Sequence, residues 1–226
     1  MTPEEQNIFK MKIKNTAIFN PGLLSYFNVS GITDFSDLLS GCKIKNLKVL
    51  SKWNVSNGTN FSGMFSDCQF IESLDGLETW NMSKATNLSG MFEKCESLTD
   101  ISAIKTWDVS NCEDFSCMFA HCKNISEVDL NNWNTSKGVN FMGMFLNCDS
   151  LKVLDGLSKW NTTNAIDISA MFINCRRLNT IKAIRNWNLK NASHYSGVFK
   201  NCNDINLDEN LREWKDFKNI SFDKLK

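Results

Sequence analysis

Residues 61–68 read FSGMFSDC, and the phrase returns as LSGMFEKC at 88–95, FSCMFAHC at 115–122, FMGMFLNC at 141–148, ISAMFINC at 168–175 and YSGVFKNC at 195–202. A catalytic motif needs to occur only once. A phrase that recurs at fixed spacing is architecture first, and its reading decides what kind of fold the chain makes.

A longer unit surrounds the phrase. Trp53, Trp80, Trp107, Trp133, Trp160, Trp187 and Trp214 recur with a period of roughly 27 residues, the step from Trp107 to Trp133 alone being a position shorter. Phe27 opens one earlier copy, and Cys42, Cys68, Cys95, Cys122, Cys148, Cys175 and Cys202 follow their Trp or Phe at one constant interval. Such units cannot cover their own apolar faces and must stack on neighbours, which predicts a solenoid.

Only the interval from Cys to the next Trp varies. It is a single position longer after Cys68, Cys95, Cys148, Cys175 and Cys202 than after Cys42 and Cys122. Small residues, Gly76, Ala103, Gly156 and Ala183, stand where the extra residue enters, as expected of a bulge or turn. Displacing the sequence by three units carries Gly58 onto Gly138, Gly76 onto Gly156 and Asn111 onto Asn191, which reads as duplication of a three-coil block. The chain accordingly divides into an N-terminal cap over 1–26, seven repeats of roughly 26–27 residues over 27–213, and a truncated C-terminal capping coil over 214–226.

Within LSGMFEKC the apolar positions Leu88, Met91, Phe92 and Cys95 follow i, i+3, i+4, i+7, which predicts one short helix per coil. In ISEVDL at 125–130, Val128 and Leu130 alternate across Asp129, which predicts one strand. At the start, Thr2 is placed as an N-cap before Pro3 and two acids, which predicts a capping helix.

Units of the form L-x-x-L-x-L-x-x-W-N-x-S followed by M-F-x-x-C resemble the BspA-like bacterial leucine-rich repeats, in particular the roughly 26-residue surface-protein repeats of mycoplasma lipoproteins; the likeness covers about 27–214. The resemblance implies an α/β solenoid, a leucine-rich-repeat-like superhelix with a parallel concave sheet and short convex helices, used to bind other proteins and often for adhesion. It implies no catalytic residues and no cofactor.

Composition narrows the function classes. The formal charge is zero with 42% hydrophobic residues, so the positive field of a nucleic-acid binder is missing. The start MTPEEQNIFK has no basic-then-apolar export pattern, and no window approaches the roughly 18 apolar residues of a membrane span. A cytoplasmic protein with reduced cysteines, monomeric when free, is expected.

Cys112, Cys117, His121 and Cys122 place four soft ligands close together in the sequence, and zinc is one reading of them. Their C-x4-C-x3-H-C spacing matches no common zinc module, and the cysteine column is read instead as small apolar side chains filling a narrow core slot. The eleven N-x-S/T triplets are read as Asn and Ser side chains bonding to backbone at coil corners. The two histidines have no nucleophile or carboxylate partner in the pattern, and an enzyme is not expected.

What remains is surface. Asp75, Asp100, Glu127, Asp129 and Asp155 are expected to form an acidic ladder on the concave face, with Lys182 and Arg185 giving the opposite sign further on. A protein partner of complementary charge is the expected ligand. Two other roles stay open at this point: a compact intracellular inhibitor or effector, for example one carried by a phage or mobile element and blocking a bacterial defence nuclease, and a surface adhesin.

Overall fold

The computed structural model describes residues 2–205; the expected C-terminal capping coil at 214–226 lies outside them. Helix α1 spans Pro3–Phe19. Thr2 caps it in the way its sequence predicts: the Thr2 hydroxyl accepts from the Glu5 amide at 3.2 Å, and the Thr2 amide donates to the Glu5 carboxylate at 2.7 Å, a reciprocal capping box. Its inner face buries Ile13 and Ala17 over the first coil, while Ile8, Met11, Ile18 and Phe19 stay exposed.

After α1 the chain winds in coils of the sequence period, numbered here from each aromatic: coil 1 at 27–52, coil 2 at 53–79, coil 3 at 80–106, coil 4 at 107–132, coil 5 at 133–159, coil 6 at 160–186 and coil 7 from 187. Columns of buried side chains hold them together. The described tryptophans lie parallel in two stacks, one through Trp53, Trp80 and Trp107 and one through Trp133, Trp160 and Trp187, with ring centroids 6.0 to 6.4 Å apart. Their indole N–H groups donate to carbonyls about one coil back, Trp80 to Leu50 and Trp107 to Leu77, so a large apolar ring is buried with its one polar atom satisfied. A phenylalanine column runs from Phe65 through Phe92, Phe119, Phe145 and Phe172 to Phe199, each step 5.5 to 5.7 Å.

The expected parallel sheet and convex helices are not formed. Among the described residues there is no strand, only isolated parallel bridges such as Asn60 to Asn87, and α1 is the one α-helix; the rest of the helical structure is four 3-10 turns. The α/β solenoid reading is therefore corrected to stacked coils built mainly of turns.

The physical reason for the missing helices lies in the phrase FSGMFSDC itself. Gly63 and Asp67 both have left-handed backbone, φ +61° each, and the equivalent pairs recur as Gly90 with Lys94, Cys117 with His121, Gly143 with Asn147 and Ala170 with Asn174. Two such residues four apart prevent an α-helical ladder. Alternate amides instead close local turns and reach the next coil. Met64, Ser66 and Cys68 donate to Phe61, Gly63 and Phe65, whereas Gly63, Phe65 and Asp67 donate to Ser89, Met91 and Glu93 at 2.7 to 2.9 Å. With Phe61 donating to Asn87 and Ser62 to the Asn60 side chain, every backbone donor in the phrase is used, half within the coil and half between coils.

The expected strand at 125–130 is likewise absent. In the long intervals Ala103 and Ala183 sit inside 3-10 turns, Ser102–Ile104 and Lys182–Ile184. Gly156 is there for another reason: a Cβ added to it would overlap the Val128 carbonyl oxygen of coil 4.

Candidate functional site

All seven charged residues singled out from the sequence, Asp75, Asp100, Glu127, Asp129, Asp155, Lys182 and Arg185, are exposed. They stand on the loops between Cys and Trp and not on a concave sheet, because no sheet forms there. Asp75 pairs with Lys48 of coil 1 at 3.6 Å. Lys182 opens a 3-10 turn and Arg185 follows its end. The Asp155 carbonyl accepts from the Asn131 amide group.

Asp100, Glu127 and Asp129 are brought together. They share a cleft of about 260 Å³ between coils 3 and 4 with Thr99, Ile101, Ser102, Ser126 and Val128. The Asp100 carboxylate accepts from the Ser102 amide at 2.8 Å, and none of the three acids is in an ion pair among the described residues. Three such carboxylates on neighbouring loops make a local negative field in an otherwise neutral protein. Sequence reasoning found the acids but not the cleft. The signal was present in the interval lengths, since coil 3 has the inserted residue and coil 4 lacks it.

The four soft ligands are not gathered. Cys112 takes the small-residue column held elsewhere by Gly58, Ala85, Gly138 and Ala165, and its thiol donates toward the Asp114 and Thr86 carbonyls. Cys122 donates to the Phe92 carbonyl at 3.1 Å, as Cys95 does to Phe65 and Cys148 to Phe119. Cys117 is half-buried with its sulfur toward the Met142 carbonyl, and His121 meets the Asn147 amide group at 3.1 Å. Among the described residues no group of three His, Cys, Asp or Glu side chains is placed to hold a metal ion. Burial pushes the column thiols up, Cys68 and Cys202 to about 12, so they are protonated at neutral pH.

The Asn side chains of the corner motif do bond to backbone, while the Ser residues take part through their backbone amides rather than their hydroxyls. Asn54, Asn81 and Asn134 each accept, through the side-chain carbonyl, from the amide two residues on, at 3.0 to 3.2 Å. Asx turns of this kind fix each corner and leave the Asn exposed.

A chain of stacked repeat coils with an exposed acidic cleft is the class these observations define. Three overlapping stretches, residues 6–125, 69–156 and 99–214, match the family described as Mycoplasma protein of unknown function, DUF285, and the chain belongs to that family, which is related to the BspA-like repeat proteins. No curated protein matches it. None of its described helices is long and apolar enough to cross a membrane.

Proposed function

We propose that this is a BspA-like repeat protein whose work is to bind another protein, without chemistry of its own, through the face that carries Asp100, Glu127 and Asp129. The observation that carries the reading is the cleft: three carboxylates, with no cationic partner among the described residues, are held in place by coils whose ring columns are fully buried. Rigid placement lowers the ordering cost of association, and a negative patch of this kind favours a positive one. Asp155 extends the negative surface on one side, Asp75 on the other is paired with Lys48, and Lys182 and Arg185 carry the opposite sign further on.

The test is the triple substitution Asp100→Lys, Glu127→Lys and Asp129→Lys, compared with wild type as tagged bait in a lysate of the organism that carries it and then against the purified captured protein. Reversal of three charges is expected to weaken binding at least tenfold with the circular dichroism spectrum unchanged. Equal affinity would move the binding surface away from these acids.

A further inference from the structure

The interface between coils 3 and 4 differs from its neighbours. Between coils 2 and 3 the loop backbones pair: Thr99 and Asp100 donate to the Glu72 carbonyl and Leu74 donates to Asp100. Between coils 4 and 5 they pair again, Lys152 to Ser126 and Leu130 to Gly156. Between coils 3 and 4 no loop backbone bond crosses among the described residues; only side chains do, with Lys123 on the Glu96 carboxylate and Asn124 on the Glu96 carbonyl. The amides of Ser126, Glu127, Val128 and Asp129 have no acceptor among the described residues. The tryptophan column breaks where these two loops end: Trp107, which follows the coil 3 loop, and Trp133, which follows the coil 4 loop, do not stack, whereas Trp80 stacks on Trp107 and Trp133 on Trp160.

Loop length and the placing of glycine account for this together. Coil 3 spends its inserted residue on the turn Ser102–Ile104, and coil 4 has nothing to match it, so the two loops diverge. The other unequal neighbours meet through a glycine of the longer loop. Gly156 of coil 5 lies against the Val128 carbonyl of coil 4, and Gly76 of coil 2 lies against the Leu47 carbonyl of coil 1, where the Lys48–Asp75 pair also crosses although no loop backbone bond does. Coil 3 has Ala103 in that place. The phenylalanine column passes the level without interruption, Phe92 to Phe119 at 5.7 Å, which confines the divergence to the loop side. The cleft is thus a built gap in a ladder, with the Glu127 and Asp129 amides, which have no acceptor among the described residues, along one wall and carboxylates at its rim.

Resting on the protein-binding reading above, we infer that this cleft receives an extended, basic segment of the partner, which pairs its backbone with the Glu127 and Asp129 amides, the two on the side away from coil 5, and sets Arg or Lys side chains against Glu127, Asp129 and Asp100. An unpaired backbone edge is a template for an added extended segment, and alternate side chains then supply specificity. Glu127 and Asp129 stand two residues apart, the interval at which side chains of an extended chain fall on one side. About 260 Å³ is the liquid share of roughly eight or nine waters, enough for a short stretch of chain and not for a folded element. Arginine fits best, because its planar fork meets a carboxylate through two donors.

The probe is a capped hexapeptide, Arg-Ser-Arg-Ser-Arg-Ser, titrated into isotopically labelled full-length protein, with Glu-Ser-Glu-Ser-Glu-Ser as control. The expected result is saturable binding of the basic peptide, displacement of the Glu127 and Asp129 amide resonances, and at least a tenfold loss in Glu127→Gln/Asp129→Asn, which keeps side-chain size and the fold. A second variant inserts one alanine after Val128 to lengthen coil 4 to match coil 3; it keeps all three carboxylates, and binding is expected to fall at least tenfold as the ladder closes. Peptide binding that is lost with the carboxylates but leaves these two amides unmoved would overturn the cleft while keeping the acidic face as the binding surface. No peptide binding, with the captured partner still lost on charge reversal, would overturn it equally. Loss of neither would sink both readings.

Discussion

The two sides of each coil obey different rules. On the side that carries the M-F-x-x-C phrase, the interval from Trp to Cys never changes length, the phenylalanine rings stack without a gap, and alternate amides cross to the next coil at every level from Asp37 to Asn174. On the loop side the interval takes two lengths that differ by a single position, backbone pairing is intermittent, and between coils 3 and 4 neither a backbone bond nor a closely packed glycine joins the loops. One side is a spine that fixes register. The other is free to vary in length because its register is set elsewhere, and that freedom is what opens the cleft between coils 3 and 4.

The largest test of this contrast is in the spine. Phe92 is fully buried between Phe65 and Phe119, and Phe92→Ala is expected to cost about 3–5 kcal/mol by equilibrium urea unfolding, the range for emptying a packed core position. Val128→Ala on the diverged loop, two methyl groups smaller, is expected to cost less than about 2 kcal/mol. Equal costs would mean that the loop side carries as much of the packing as the spine.

The glycines give a smaller but sharper comparison. Gly156→Ala drives a Cβ into the Val128 carbonyl oxygen, a backbone atom that cannot turn aside, so coils 4 and 5 must separate. The expected cost is about 1–3 kcal/mol, with faster hydrogen exchange at Leu130, whose amide donates to Gly156. Gly63→Ala meets only the Asp37 carboxylate tip; its cost, about 1–2 kcal/mol, comes from the left-handed φ of +61°. Exchange at Leu130 should be unaffected by that second change. A Leu130 amide that slows or stays the same in Gly156→Ala would show that the loops of coils 4 and 5 are not locked by this contact.

The sequence exposes the period, the buried columns and the places where a residue is inserted, because each of these is a matter of spacing. It misleads on local structure. Leu88, Met91, Phe92 and Cys95 satisfy the helical spacing, yet a turn of left-handed and right-handed residues brings the same four inward. The contrary signal was there: glycine holds the first left-handed position of the phrase at 63, 90, 143 and 197, and Asn147, Asn174 and Asn201 hold the second in later coils. Glycine and asparagine at fixed places tolerate positive φ, and their recurrence outranks apolar periodicity over so short a window. Of the site, the acids Asp100, Glu127 and Asp129 were legible as exposed charge. The cleft was not, because it comes from a length difference between two coils that no single coil displays.

Thiol chemistry separates the outer surface of the spine from its core. Cys117 is the half-buried cysteine among nine, and the others are buried. Burial raises the thiol of Cys68 to about 12, and those of Cys148 and Cys175 are also raised by burial first and then by a neighbouring cysteine. Iodoacetamide at pH 8 is expected to modify Cys117 alone in the native protein, as read by intact mass, and nothing in Cys117→Ser; all nine react in denaturant. Early modification of a second cysteine would show a spine that opens.

The smallest expected effect lies where α1 meets the first coil. Burial raises the Asp34 carboxyl, but hydrogen bonds from the Ser36 side chain and amide and the charge of Lys10 at 3.2 Å outweigh it, leaving the group below its ordinary value. A carboxylate with a lowered native pKa stabilises the fold above its unfolded pKa, and that contribution is lost as pH falls through the native one. Asp34→Asn is therefore expected to destabilise by less than about 1 kcal/mol at pH 7, since the pair is partly screened by water. The difference from wild type should shrink as pH drops below about 4, the ordinary range of an aspartate. The spine predicts this small figure as well: its register is carried by ring stacks and backbone bonds, so removing one charge at its first level leaves every later coil in place. A loss at pH 7 as large as that of Phe92→Ala would instead make the cap contact, and not the columns, the element on which the stack depends.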